Sequence, residues 1–256
     1  MRSVLRTSTL SATALLLAAA LAACSPVAPV KEGTDAPDSS SSGAVAADFS
    51  PYYPVAEGNE WEYTATYPDP VGVVTYTETM TKVEKDGDDV RATIARSFHY
   101  ENGMNPDFDQ DVEYVFHADG SLTVPYQSLP DTSGAQVTVK SGELVWPSTE
   151  EFEAATPKTG TIELTSEAAG VSLELSAAFT ITGAGVESVT VKAGDFDARK
   201  LAQVIEISVP TLSTESFEVS TTTWLAEGTG MVRTEIPGLF GAGATVVELV
   251  KFTPGS

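Results

Sequence analysis

Apolar and polar residues alternate along most of the chain after Tyr52, in short runs separated by Gly, Pro and Asp-Gly. Residues spaced by two share one face of a strand, so each run reads as a strand with one buried side. Val112, Tyr114 and Phe116 alternate ahead of Asp119-Gly120, and Leu122, Val124 and Tyr126 alternate after it. Asp-Gly readily takes the positive φ of a tight turn, and the pair predicts a two-residue type I′ hairpin. Asp86-Gly87, between "TETMTKVEK" and "VRATIARSF", predicts a second hairpin with a loop of similar or slightly greater length.

The second half continues with "GTIELTS", "VSLELSAAFTITG", "VESVTV", "FDARKLAQVIEISV", "SFEVSTTTWLA", "GMVRTEI" and "ATVVELVKF". In the fourth of these, Phe196 and Ala198 are even-numbered while Leu201, Ile205, Ile207 and Val209 are odd, a change of face that predicts a β-bulge near Arg199 and Lys200. One helical turn is expected where Ser148 and Glu151 form a capping box before "EFEAA", closed by Pro157. With no long amphipathic helix and no alternation of strand and helix, the pattern argues against a parallel α/β fold. The pattern predicts an all-β protein: a curved antiparallel sheet or half-barrel of about a dozen strands, with at most one short helix.

The first fifty residues have a different texture. Arg2 and Arg6 precede an apolar stretch through Leu15, Leu16 and Leu17 to Ala20, followed by small residues up to Cys24. This is the layout of an export signal, and the stretch is too short for a membrane span, which needs about 20 residues. Leu21, Ala22, Ala23 and Cys24 resemble the lipobox of bacterial lipoproteins. That resemblance implies cleavage before Cys24, diacylation of its thiol, and anchorage on the extracytoplasmic side of a membrane. Two acyl chains give the stable anchorage that one does not. Cys24 is the only cysteine, so the fold has no disulfide to hold it.

Residues 25–49, "SPVAPVKEGTDAPDSSSSGAVAADF", are rich in Pro, Ser, Ala and Gly and read as a disordered tether. A flexible linker of this length spans about 25–30 Å. The expected division is a signal peptide over 1–23, an acylated cysteine and linker over 24–49, and a single β-rich domain over 50–256. Removing residues 1–23, with two arginines and no acidic side chain, shifts the formal charge from −22 to −24. So acidic a surface is repelled by nucleic acid and by anionic head groups, which leaves the lipid to hold the membrane.

Charge also raises the question of metal. Asp107, Asp109, Asp111 and Glu113 lie at alternate positions, but an EF-hand begun at Asp107 would need Gly at 112 and Glu at 118, where Val112 and Ala118 stand. In a strand these carboxylates would share a face, either recruiting a calcium ion or forming a solvated edge that discourages pairing; the second reading is preferred. His99 and His117, the only histidines, have no His or Cys partner at ligand spacing. The common catalytic and nucleotide-binding motifs are missing, so no catalytic residue, metal ligand or cofactor is assigned.

The remaining features are aromatic and glycine-rich. Tyr52, Tyr53, Pro54, Gly58, Trp61 and Tyr63 open the domain. Val189, Val191, Ala193, Gly194, Phe196 and Ala198 follow, then Trp224, Ala226, Gly228, Gly230, Val232 and Arg233. Their first reading is structural, with glycines in turns and Trp61, Trp224 and Phe196 in the core. Together they resemble a broad set of uncharacterised bacterial envelope proteins, and more loosely the half-barrel lipoproteins of the LolA, LolB and LppX type. The latter resemblance implies an apolar concavity that clasps acyl chains, although clear plug helices are missing here. The leading expectation is a lipoprotein that binds a hydrophobic or lipid-like ligand or supports the cell envelope. The alternatives are a protein-interaction or structural module of the cell surface and, third, an extracellular hydrolase.

Overall fold

The computed structural model describes residues 51–101, 106–124, 136–168, 171–210, 216–238 and 243–255. Cys24, the signal-like segment and the tether lie outside the described residues, as does Tyr126. The elements are β1 (Glu60–Thr66), β2 (Val73–Asp86), β3 (Asp89–Tyr100), β4 (Phe108–Phe116), β5 (Leu122–Val124), β6 (Gln136–Ser141) and β7 (Leu144–Trp146). They continue with α1 (Thr149–Glu153), β8 (Lys158–Ala168), β9 (Val171–Val191), β10 (Gly194–Ser208), β11 (Phe217–Ala226), β12 (Gly230–Ile236) and β13 (Thr245–Thr253). All the strands form one 13-stranded antiparallel sheet in the order β6-β8-β9-β10-β11-β12-β13-β1-β2-β3-β4-β5-β7. Its far ends approach one another, since β7, at one edge, touches β8 near the other. The curved antiparallel sheet read from the sequence is the observed fold.

The capping box forms as the sequence demands. Ser148 Oγ accepts the Glu151 N–H at 3.2 Å, and the Glu151 carboxylate accepts the Ser148 N–H at 2.9 Å. Asp86-Gly87 makes a two-residue hairpin closed by Asp86 and Asp89, with Gly87 at φ 66° in the first turn position, where a type II′ turn takes glycine. The Asp119-Gly120 hairpin is wider than the predicted two residues. The Gly120 N–H donates to the His117 carbonyl at 2.8 Å and the His117 N–H to the Ser121 carbonyl at 2.9 Å, leaving a three-residue loop. The cause is partly remote: Asp89 of β3 accepts the Ala118 N–H at 3.1 Å, while Asp119 accepts the Ser121 N–H at 2.8 Å.

"VSLELSAAFTITG" and "VESVTV", expected as separate strands, are one strand of 21 residues, β9. The bulge lies where it was expected, but in the partner strand: Arg199 faces Val186 and Leu201 faces Gly183, so Ala184 and Gly185 of β9 oppose Lys200. Because β10 pairs with β11 without interruption from Ala198 to Ile207, it does not change face. It buries Ala198 in one core and Leu201, Ile205 and Ile207 in another, on opposite sides of the sheet.

The first core gathers Trp61, Tyr63, Phe98 and Phe116 with Val189, Val191, Ala198 and Trp224. The second holds Leu144, Phe152, Ile162, Ile181, Leu201 and Ile207. Tyr52 enters the second core and Tyr53 packs against the first, so the segment leading into β1 is pinned to both. Tyr52 is also tied by its hydroxyl, which donates to Glu153 at 3.1 Å and accepts from Arg199 Nε at 3.3 Å.

The three motif segments meet where the sheet parts. β12 and β13 pair only between Arg233–Ile236 and Thr245–Glu248; beyond this β13 continues beside β1 and β12 turns away. Trp61 Nε1 donates to the Thr229 carbonyl at 2.6 Å, and Tyr63 Oη donates to the Met231 carbonyl at 3.2 Å. The Leu249 carbonyl accepts the Ala193 N–H at 3.2 Å, which docks the turn between β9 and β10 into the gap. β9 therefore touches β12 and β13, neither of which is its neighbour in the sheet.

A matched pair of glycines tests this packing. A Cβ on Gly183 would stand 1.8 Å from the Phe152 carbonyl oxygen of α1, whereas one on Gly185, two residues along, would meet nothing within 4 Å. Gly183→Ala is expected to cost about 2 kcal/mol or more in urea unfolding, and Gly185→Ala to stay within about 0.5 kcal/mol of the parent.

Candidate functional site

Most of the first core is packed with rings. Tyr63, Tyr76, Phe98 and Phe108, one from each of β1 to β4, stack in a row with successive centroids 5.0, 5.0 and 4.4 Å apart. Beside them lies a buried ion pair. Arg96 Nε approaches Glu78 Oε1 to 2.8 Å, and Arg96 Nη2 donates to Tyr114 Oη at 2.6 Å. Such a pair contributes little net stability but makes the loss of either partner costly, because the other charge stays buried. Burial pushes the Tyr53 and Tyr63 phenols well above their ordinary range, so both remain neutral donors. Between the two cores, Tyr53, Phe116, Trp146, Phe152 and Leu225 help line a cavity of only about 30 Å3. That is room for about one water molecule and far below the 300 Å3 or more typical of small-ligand sites.

A larger recess, about 230 Å3 and open to solvent, lies along Glu187–Thr190 of β9, bounded by Trp224, Arg233 and Glu235. Trp224, 7% exposed, is held between two cations, with Lys200 Nζ 5.8 Å and Arg233 Cζ 5.5 Å from its ring centroid. Its indole Nε1 donates to Glu187 Oε1 at 2.5 Å, and Lys200 Nζ sits 2.6 Å from Glu187 Oε2. Lys200, then the indole, holds the Glu187 carboxyl below its usual range. Arg233 pairs with Glu235 at 2.5 Å and lies 3.6 Å from Glu248, yet its Nε is buried without a hydrogen-bond partner. The groove combines fixed charges of both signs with a strand edge, and the hydroxyls along it are those of Ser188 and Thr190, the second of which donates to Asp195.

The other residues singled out by sequence fall elsewhere. Asp109, Asp111 and Glu113 lie on the exposed face of β4, with Glu113 taken by Arg91 at 2.7 Å. Asp107 precedes the strand and pairs with His99 Nδ1 at 2.8 Å while accepting the Tyr100 N–H at 3.1 Å. His117 bridges Asp89 and Thr123 at 3.0 and 2.8 Å. Among the described residues no three His, Cys, Asp or Glu converge as a metal site would require. Sequence reading missed the Glu78–Arg96 pair and the Glu187 bridge, because each joins residues that only strand register brings together.

A single, strongly curved antiparallel sheet with two cores defines the class of protein. The model of the DUF3108-like family matches residues 56–236, and the chain belongs to that family. Two solved structures share the fold. One is a protein of Bacteroides fragilis described as exported and of YmcC-like fold, 14% identical, covering 79% of this chain and 98% of its own at a TM-score of 0.55. The other is a Parabacteroides distasonis protein described as a lipoprotein, 16% identical with the same coverages and a TM-score of 0.57. No curated protein of known function matches the chain. The family and these neighbours are described without any enzymatic activity.

The His99–Asp107 pair gives a pH prediction. Hydrogen bonding and charge from Asp107 raise the His99 pKa above 6.5, and the bond from His99 lowers that of Asp107. The histidine's contribution is full below about pH 6.5 and fades as pH rises through its raised value. That of the aspartate is full above about pH 4 and fades as pH falls through its lowered value. The contact is therefore strongest at about pH 4–6.5. An NMR titration is expected to place the His99 midpoint above 6.5, returning towards it in Asp107→Asn; an unmoved midpoint would contradict the pairing.

Proposed function

We propose that this protein is a bacterial envelope lipoprotein whose β head is a protein-interaction module. In this reading residues 1–23 are removed, Cys24 is diacylated, residues 24–49 form the anchor and tether, and residues 50–256 form one domain. The order of charge, apolar run and lipobox supports the anchor, as do the exported and lipoprotein descriptions of the two proteins that share the fold. One observation carries the choice of interaction over lipid carriage: among the described residues, stacked rings run across β1 to β4, and the cavity between the two cores has about 30 Å3. An acyl chain of even a few carbons needs several times that volume.

Two measurements test the two parts separately. Cys24→Ala is expected to leave the membrane fraction, or to keep its signal without acyl mass; unchanged acylation on mass spectrometry contradicts the anchor. For the head, native mass spectrometry of protein extracted gently from its own membranes is expected to give the mass of the acylated chain alone. A stoichiometric second lipid retained through several extractions would restore the carrier reading.

A further inference from the structure

β9 has different neighbours along its length. β8 pairs with it from Val171 to Ile181, and beyond that point, among the described residues, only β10 does. The Phe152 carbonyl of α1 crowds Gly183, but from Gly185 to Ser188 the strand is exposed. Val186, 55% exposed, is the only large apolar residue so exposed among the described residues. Edges of this kind are commonly blunted by lysine, proline or a bulge; here the bulge at Ala184 and Gly185 precedes the edge, and residues 182–191 contain no lysine or proline. The groove of about 230 Å3 runs beside this edge, and its far wall holds Arg233, whose buried Nε has no hydrogen-bond partner.

An unpaired edge beside a groove suits strand addition, in which main-chain hydrogen bonds give affinity and neighbouring side chains give selectivity. The occupant follows from charge. A second copy would bring a head of the same large negative charge against the first, and the two repel. A basic segment would instead be drawn in by the acidic surface, with Glu187, Glu235 and Glu248 near the groove already shared with Lys200 and Arg233. We propose that the edge of β9 from Val186 to Val191 accepts an extended, positively charged segment of another envelope protein as an added strand. The inference rests on the interaction-module reading and names its site and partner chemistry.

The test uses a fluorescent nine-residue peptide of alternating lysine and valine or threonine, and the same peptide with every second backbone amide methylated. The first is expected to bind saturably, at least tenfold more weakly in 0.5 M salt, and to protect amides within residues 186–191 from hydrogen exchange. The methylated peptide, which keeps the charge but loses the ladder, is expected not to bind, and Val186→Lys to weaken binding at an unchanged Tm. Equal binding of both peptides, or none up to about 1 mM, overturns the inference. So does sedimentation evidence that the head pairs with itself through this edge. Protection confined to another edge, such as β6, removes this site while leaving the interaction module standing; a retained lipid strikes the module itself.

Discussion

The parting of β12 from β13 is the feature on which the rest of the sheet depends. Two strands that separate expose backbone groups on both sides of the gap, and each buried carbonyl left without a donor costs about 1–3 kcal/mol. Here three carbonyls at the gap, those of Thr229, Met231 and Leu249, take donors from Trp61, Tyr63 and Ala193. One donor is an indole, one a phenol and one a turn amide, and they come from opposite ends of the sequence. The gap thereby becomes the place where the start of the domain is locked to its end.

The same parting explains why one sheet can serve two cores. β10 and β11 run straight through, so burial passes from one face to the other along them: Ala198 and Ala226 face the first core, Leu201 and Leu225 the second. The bulge in β9 lets that strand follow without losing its apolar alternation, since Phe179 and Ile181 point to the second core and Val189 and Val191 to the first. Tyr52 and Tyr53 divide themselves between the cores in the same way. No disulfide is available to hold this arrangement, so packing and these few directed hydrogen bonds must do so.

Local chemistry in the sequence was a good guide where the cause was local. The capping box at Ser148, the tight turn at Asp86-Gly87 and the all-β alternation each depend on a handful of adjacent residues, and each formed. The Asp119-Gly120 loop differed because Asp89, thirty residues earlier in the chain, accepts one of its amides. The change of face near Arg199 was visible as a break in alternation, but a break in one strand cannot say which partner carries the extra residue. Of the groove, Trp224 and Arg233 were visible as motif residues; the Glu187 bridge was not, because it depends on the register of β9, β10 and β11, and the open edge of β9 was not, because it depends on where β8 stops. The acidic run from Asp107 to Glu113 drew attention for its spacing, yet strand geometry spreads it over solvent and two separate ion pairs.

Hydrogen exchange at the Ala193 amide tests the closure of the gap most directly. Turn amides ordinarily exchange through small local openings, whereas an amide tied across the structure exchanges only when the whole unit opens. If the β9–β10 turn is locked to Leu249, Ala193 should show the same opening free energy as core amides of β1 and the same dependence on urea, while Gly87 in the free β2–β3 turn exchanges fast. An Ala193 amide exchanging as fast as Gly87 in the intact protein would contradict the account.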